Sequence, residues 1–498
     1  MDSYNITTRF LGAGRADATA LITRAGPISY GELRSLAARA GNALRALGVR
    51  RGDRVLIAAG DGAEFVATWY GAQQIGAITA EVYTYLRPKD YRYFVDYTKP
   101  KVVLADPAVL DNLRAAGATS LLVTGYPRGG PRSGEHHFDT LVGAQSDRLD
   151  PVPVGPEDPA IWKFTTGSTG APRACVLPAR SPHRSFEWYA RGVLGIREDD
   201  VVLPVPKLFF GYARDLAALF PFGAGAAGVV FPERSRAETI FELIAEHRPT
   251  ILVNVPTMMS AMLAHPGAAR QDLSCLRLCT SAGEPLPPEL HRRWLDTFGV
   301  EVIDGIGSSE AYHIYLSNRP GRVRPGTLGE LVPGYSARVV DEHGARVSDG
   351  EVGRLEVTGD TVATEYWQEP VKSAGTFVRE RTVLSGDLVS RDADGFYRFH
   401  GRADDMLKVG GVWIAPAEIE NCLLTHEAVS ECVVVGEQSG GLSRPRAYVV
   451  ATAPVSAEEL KAYVRGRLAP HKYPREITLV PGLPQTANGK VDRRALAA

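Results

Sequence analysis

Cysteine is scarce. The chain has five in 498 residues (Cys175, Cys275, Cys279, Cys422 and Cys432), odd in number and scattered. That excludes a disulfide scaffold and fits a reducing, cytoplasmic compartment. Cys275 and Cys279 have loose metal spacing, but no second pair lies nearby, so two plain thiols are expected there rather than a zinc site. An excess of one charge is also missing: 56 Lys and Arg face 57 Asp and Glu, a net charge of −1. No global field therefore recruits nucleic acid or an anionic membrane. No uninterrupted apolar run is long enough to span a bilayer. Met1 to Ile6 hold no basic segment leading into an apolar one, so no signal peptide is expected. Internal repeats and low-complexity tracts are absent as well. What is there is ordinary for a globular chain with a sizeable core, 44% hydrophobic and 23% charged, and long enough for about two to four domains.

Strand-type and helix-type segments alternate. Residues 28–48 read as a capped helix: Ser29 precedes it, apolar residues recur at helical spacing, and Gly48 ends it. Residues 54–59 form a buried strand candidate, 64–78 a second helix, and 101–105 and 120–124 short apolar runs of strand type. Strands alternating with helices imply an α/β unit with a largely parallel sheet. Residues 126–137, rich in Gly, Pro, Arg and His, read as a surface loop. The alternation resumes from Val201, with strands at 227–231 and 250–254 and helices at 236–247 and 257–264. After Pro320 the texture changes. Residues 336–344 and 353–359 alternate polar and apolar side chains between Asp/Gly turns, as in a small antiparallel β region. From Arg402 a compact α+β tail is expected, with a Pro-initiated helix at 416–424, a strand at 429–436 and a helix at 456–468 that is acidic early and basic late. The fold class is α/β: a large N-terminal domain of α/β layers with a small antiparallel β region, then a small α+β C-terminal domain.

One stretch is dense in Gly, Ser and Thr: Phe164, Thr165, Thr166, Gly167, Ser168, Thr169, Gly170, Ala171, Pro172, Arg173. A loop of that composition offers backbone N–H groups and hydroxyls to an anion, and its glycines permit close approach. It is not a Walker A loop, which would end in Gly-Lys-Ser/Thr. By itself it is either a phosphate-holding loop of another kind or a surface turn. Four more polar loops follow. They contain Asp304 to Glu310; Asp387; Arg402, Asp404 and Lys408; and Lys490. Each alone has an ordinary explanation as a turn.

Their order and spacing resemble the adenylate-forming superfamily of acyl-CoA ligases, adenylation domains and luciferases, and within it most of all the benzoate–CoA ligases. The resemblance runs nearly end to end and includes residues 207–213, 281–287, 313–320 and 468–475. It implies a two-step reaction using ATP, Mg2+ and coenzyme A: a carboxylate attacks the α-phosphate of ATP, giving an acyl-adenylate and pyrophosphate, and a thiol then displaces AMP. The first step joins two anions, so positive charge and fixed N–H donors must offset repulsion. The resemblance places Thr165, Thr166, Gly167, Ser168, Thr169, Gly170 and Arg173 at the β- and γ-phosphates. It places Ser281, Ala282, Gly283, Glu284 and Pro285, with Asp304, Gly305, Ile306, Gly307 and Ser309, around the nucleotide. Of these, Gly283 to Pro285 and Asp304 to Ile306 line the adenine slot. Glu310 would bind Mg2+, a hard cation suited to carboxylate oxygen. Asp387 would accept from both ribose hydroxyls, Arg402 would support the ribose and phosphates, and Lys490 would reach the α-phosphate and the carboxylate. The aryl-acid pocket would be formed by Phe210, Tyr212, Ala213, Tyr312 and His313, with Ala282 and Gly307. The implied domains are 1–403, the core, and 404–498, a mobile domain. The latter rotates about Asp404 and brings Lys408 and the Gly410-Gly411 turn towards the thiol.

The chain departs from the family pattern in places. The phosphate loop usually continues Pro-Lys-Gly and then Thr-His; here it continues Pro172-Arg173-Ala174, with Pro178-Ala179 near the second place. Arginine keeps the charge with another hydrogen-bond geometry, and Ala174 restricts a position that glycine leaves free. ATP binding is expected to survive, with pyrophosphate handled differently. Ile306 stands where many relatives carry an aromatic residue, and Ser309 where Thr is commoner. Ala311-Tyr312-His313 replaces the Met-Leu-His of benzoate ligases, so a phenol stands at the ring's far edge. A buried Tyr beside a ligand wants a hydrogen-bond partner. Either the acid bears a hydroxyl or amino group, or Tyr312 points away and the pocket takes plain benzoate. Other acceptors stay open, a carrier-protein thiol or an amine, and so does another acid: nitrite, activated by ATP for arylamine diazotisation. So does a silent nucleotide-binding protein, against which Glu310, Asp387, Arg402 and Lys490 together argue. The expected state is a monomer or homodimer without nucleic-acid or membrane partners.

Overall fold

The structure is a computed structural model that describes residues 3–125, 130–165, 171–409, 412–439, 442–469, 472–484 and 491–497. Two large sheets dominate it. The first has eight strands in the order Glu365–Tyr366, Arg173–Pro178, Pro159–Thr165, Ile78–Glu81, Arg54–Ala58, Val102–Ala105, Leu121–Val123, Glu135–His137. It is parallel from Pro159–Thr165 onward and antiparallel at the Arg173–Pro178 edge. The second has nine strands, with a parallel centre of Val302–Gly307, Leu278–Ser281, Ile251–Asn254, Val201–Pro204, Ala227–Val229 and Thr19–Thr23. Central strands such as Ile251–Asn254 and Leu278–Ser281 are buried at every position, as a sheet covered on both faces requires.

The sheets are stacked through a shared core. One hydrophobic cluster joins Val55, Ile57 and Leu104 of the first sheet to Val202, Val253 and Ile303 of the second, with the helices Tyr30–Ala46, Ala63–Gln74 and Gly211–Ala218 between them. A second cluster covers the far face of the eight-stranded sheet with Pro88–Thr98 and Leu110–Ala115. A third covers the far face of the nine-stranded sheet with Ala237–His247, Pro256–Ala264 and Pro288–Phe298. The layers therefore run helix, sheet, helix, sheet, helix. The helix foreseen at 28–48 is Tyr30–Ala46. Ser29 accepts from the Glu32 N–H, and the Glu32 carboxylate reaches back to Ser29 N, a reciprocal cap that starts the helix sharply.

The β region after Pro320 is a five-stranded antiparallel sheet, with Thr382–Arg391 paired to both Gly353–Thr358 and Tyr397–Arg402. The C-terminal residues build a separate core around Ile419, Val434, Val449, Leu460 and Ile477, in which Pro416–Leu424 and Ala457–Arg465 pack against a three-stranded sheet. Two local expectations need correction. The helix foreseen at 64–78 ends at Gln74, and Ile78–Glu81 is a buried strand; its four residues carry no alternation to set it apart from the helix tail. The 126–137 loop ends in an edge strand, Glu135–His137, fastened by Arg114 to the Glu135 carboxylate at 2.7 and 2.9 Å. Among the described residues no helix is long and apolar enough to cross a membrane. The five cysteines are free thiols, and no group of three or more metal-ligating side chains gathers among the described residues.

Candidate active site

The C-terminal ends of the parallel strands Leu278–Ser281 and Val302–Gly307 bring Ser281 and Asp304 into register. Asp304 is 7% exposed, and its Oδ1 has no hydrogen-bond partner among the described residues. Burial pushes its pKa up to about 8; the Ser281 hydroxyl and the Gly305 N–H only partly offset this. A neutral carboxyl can both donate and accept a hydrogen bond. Glu284 is committed elsewhere. Its carboxylate accepts from Thr257 N at 3.1 Å and Thr257 Oγ1 at 2.5 Å, at the N-terminus of the helix Pro256–Ala264. The Glu284 carboxylate is thus spent on the helix start, not on the slot expected around it.

Val302–Gly307 folds back antiparallel on Ile314–Ser317, and the connection carries Ser309, Glu310, Tyr312 and His313. Glycine is required at 307, where a Cβ would stand 2.3 Å from the His313 carbonyl oxygen. Glu310 Oε1 accepts from the Tyr366 hydroxyl at 2.6 Å. Arg173 lies over the Tyr366 ring at 5.3 Å, which ties the phosphate loop to the Glu310 loop through one aromatic residue. Ser309 Oγ reaches the Phe164 carbonyl at 3.5 Å.

Thr165 pairs with Arg173 across the antiparallel strands that flank the phosphate loop. Thr166, Gly167, Ser168, Thr169 and Gly170 lie outside the described residues. Ala174 is a buried strand residue opposite Phe164, so the departure from glycine falls where extended backbone suits any side chain. Tyr93 and Tyr97, one turn apart on Pro88–Thr98, hold the returning limb. Tyr93 donates to the Pro172 carbonyl at 2.5 Å, and the Tyr97 hydroxyl accepts from Ala174 N at 3.3 Å. Their rings stack at 5.4 Å. Sequence reasoning passed over this pair, although an i, i+4 tyrosine spacing on one helix face was legible.

Asp387 and Arg402 are cross-strand partners. Asp387 Oδ2 accepts from Ser385 Oγ at 3.0 Å, and Oδ1 from Arg402 at 3.2 Å. Burial works against the Arg402 charge, but Asp387 and Glu310 more than offset it and hold its pKa above the ordinary value. Glu310, Asp387 and Arg402, expected from three separate loops, therefore belong to one electrostatic cluster. Asp404 follows in the short turn Ala403–Asp405. Lys408 sits on the strand Leu407–Val409, and Lys490 lies outside the described residues.

The residues expected at the acyl pocket also converge. Phe210 and Tyr212 have ring centres 6.0 Å apart, and a Cβ on Gly283 would stand 3.5 Å from the Phe210 ring. Tyr212 is buried and pairs with Thr280 Oγ1 at 2.5 Å. Ala213 and Ala282 are buried. The His313 ring is packed by Tyr189, Tyr212 and Phe220 at 5.1–5.6 Å, and burial drives its pKa down to about 3. Its Nε2 is 3.4 Å from the Tyr212 carbonyl. A carbonyl only accepts, so Nε2 carries the proton and Nδ1 is an acceptor, without a donor among the described residues. Tyr312 is buried with φ +73°, its hydroxyl beside Asp215 and Arg214 without a well-formed hydrogen bond among the described residues. A buried group of charges behind it (Lys163, Arg214, Asp215, Glu81) went unforeseen. Its only sequence signal is ionic residues set within apolar segments.

Residues 11–367 match the AMP-binding enzyme family and residues 418–490 its C-terminal domain, so the chain belongs to that family. The chain is 40% identical over 505 residues to the benzoate–CoA ligase of Thauera aromatica, covering 99% of this chain and 95% of that one. A solved structure of a benzoate CoA ligase from Burkholderia xenovorans LB400 superposes with a TM-score of 0.92 at 38% identity, covering both chains fully. The anthranilate CoA ligase AuaEII, solved with anthranoyl-AMP, superposes with a TM-score of 0.94 at 34% identity over 99% of this chain and 96% of that one. The resemblance to adenylate-forming enzymes of the benzoate–CoA ligase type is thus borne out along the whole chain.

Proposed function

We propose that this chain is an AMP-forming aryl acid–CoA ligase. It joins an aromatic carboxylic acid to the α-phosphate of ATP with release of pyrophosphate, then passes the acyl group to the thiol of coenzyme A with release of AMP. The observation that carries this reading is the end-to-end likeness to aryl acid–CoA ligases. The meeting of Glu310, Asp387 and Arg402 supports it.

The roles follow from the side chains. Asp387, fixed by Ser385 and Arg402, accepts from the ribose hydroxyls. Ser281, Asp304 and the backbone of Gly283 to Pro285 and of Gly305 and Ile306 surround the adenine. Thr165, the loop after it and Arg173 hold the β- and γ-phosphates. Glu310 suits Mg2+: Tyr366 occupies one carboxylate oxygen, and the other takes no hydrogen bond among the described residues, leaving a hard donor for a cation. Held there, Mg2+ would supply charge neutralisation for the phosphates. Residues 1–403 form the core, and 404–498 carry Lys490 to the α-phosphate. The turn at Asp404 then swings that domain so that Lys408 faces the thiol. The need for ATP and coenzyme A puts the reaction in the cytoplasm.

The acid is a benzoate bearing a hydroxyl or amino group. His313 Nδ1 is a buried acceptor without a donor among the described residues, and a phenol O–H or aryl N–H would supply one. An ATP–pyrophosphate exchange panel tests this. Hydroxy- or aminobenzoates should drive the fastest exchange. Benzoate outperforming all of them would overturn the substituent, and no exchange with any aryl acid would overturn the class.

A further inference from the structure

We infer that Lys163 is a positioning residue for the aryl-acid pocket: its buried ammonium grips Tyr312 by both backbone and ring, fixes the left-handed turn there, and so sets the pocket wall. The inference rests on the aryl-acid reading above.

Lys163 lies on the strand Pro159–Thr165, two residues before the phosphate loop begins, and is 6% exposed. Its Nζ donates to the Tyr312 carbonyl at 2.7 Å and to Asp215 Oδ2 at 2.6 Å, and stands 3.6 Å from the centre of the Tyr312 ring. An ammonium has three N–H donors. Two are spent on oxygens, and the ammonium also faces the aromatic π-cloud. Tyr312 has φ +73°, a conformation that L residues other than Asn and Asp seldom adopt and that persists only when surroundings impose it. The Lys163 bond to its carbonyl is such an imposition.

Lys163 is itself held. Asp215 Oδ1 accepts twice from Arg214, at 3.0 and 2.7 Å. Arg214 Nη1 donates to Glu81 Oε1 at 2.6 Å, and the same oxygen accepts from Trp69 Nε1 at 2.6 Å. Two cations face two anions, all buried, so the group is balanced in charge and Lys163 has no obvious capacity left for a charged substituent on the substrate. What it supplies is geometry. Room for the ammonium comes from Gly211, where a Cβ would fall 2.6 Å from Lys163 Cε and 2.8 Å from Nζ. Gly211 opens the helix that carries Tyr212, Arg214 and Asp215. Tyr312 stands two residues after Glu310. One side chain therefore joins the strand of the phosphate loop, the acyl-pocket helix and the Glu310 loop.

An ion pair serving stability alone would change ATP and aryl-acid parameters together. A positioning residue for the pocket splits them. The test uses Lys163→Met and, separately, Gly211→Ala, which keeps every charge and pushes the ammonium aside. In both variants the aryl-acid KM should rise about tenfold or more while the ATP KM stays within about twofold, and the ranking of ring-substituted benzoates by kcat/KM should change. If Lys163→Met does not fold, Gly211→Ala carries the test. An aryl-acid KM within about twofold of wild type in folded Gly211→Ala, or both KM values rising in step, overturns the inference. A wild-type enzyme that turns over no aryl acid overturns instead the reading on which it rests.

Discussion

Replacing Asp304 by Asn removes a carboxyl that the fold holds largely protonated at neutral pH. The side chain is buried at the end of Val302–Gly307, one oxygen is unpartnered among the described residues, and burial raises its pKa to about 8. In the unfolded chain the same group titrates near the ordinary value of about 4. Between those two values the folded state binds the proton and the unfolded state does not, so raising the pH through that window destabilises the fold; above about pH 8 the penalty is constant. Each unit of difference is worth about 1.4 kcal/mol, so the shift sets a ceiling of about 6 kcal/mol on the penalty. Asn has nearly the same shape and no charge. Urea unfolding of wild type and Asp304→Asn at several pH values between about 4.5 and 8.5 reads the effect. The variant should be the more stable protein, by a margin that grows with pH and levels off near pH 8. The ATP KM near pH 7 should change little, since a neutral acid and an amide both donate and accept. A margin that does not vary with pH, or a variant less stable throughout, would refute the protonated-carboxyl argument.

Tyr366→Phe removes the hydrogen bond that orients the Glu310 carboxylate, a contact to a charged acceptor worth about 1.5–3 kcal/mol; pyrophosphate exchange across a Mg2+ titration should show half-saturation moving upward. Asp387→Ala removes the acceptors assigned to the ribose and leaves Arg402 without its carboxylate partner; the ATP KM should rise by about one to two orders of magnitude while the aryl-acid KM moves far less. Lys490→Ala should abolish adenylate formation with the circular dichroism spectrum and melting temperature unchanged.

The layered fold was legible because buried strands such as 54–59 and 101–105 are short apolar runs between amphipathic helices, a pattern that local sequence sets directly. The principal loops were legible for a related reason. They read as polar turns between apolar segments, and of the residues taken from them Glu310, Asp387 and Arg402 come together in one electrostatic cluster. What escaped was non-local. The partners of Lys163 lie 52 and 149 positions away, and a lysine inside a strand gives no sign of what will neutralise it. Glu284 was placed at the nucleotide together with its neighbours, and nothing in the sequence showed that its carboxylate caps a helix that begins 28 residues earlier, at Pro256. Ile78–Glu81 and Glu135–His137 were missed because three or four residues are too few to display a period. The doubt raised by Ala174 dissolves once the residue is seen within a strand, a fact decided by its pairing with Phe164 rather than by its own identity.

The central claim is that this chain makes an aryl-CoA thioester through an aryl adenylate. The most direct measurement incubates the purified protein with ATP, Mg2+, coenzyme A and a hydroxy- or aminobenzoate and identifies the products by mass spectrometry. The account predicts aryl-CoA, AMP and pyrophosphate in equal amounts, with the acyl-adenylate accumulating when coenzyme A is withheld. Adenylate that never reaches coenzyme A but is taken by a carrier-protein thiol or an amine, or ATP consumption independent of any aryl acid, as when nitrite is activated for reaction with an arylamine, would contradict it.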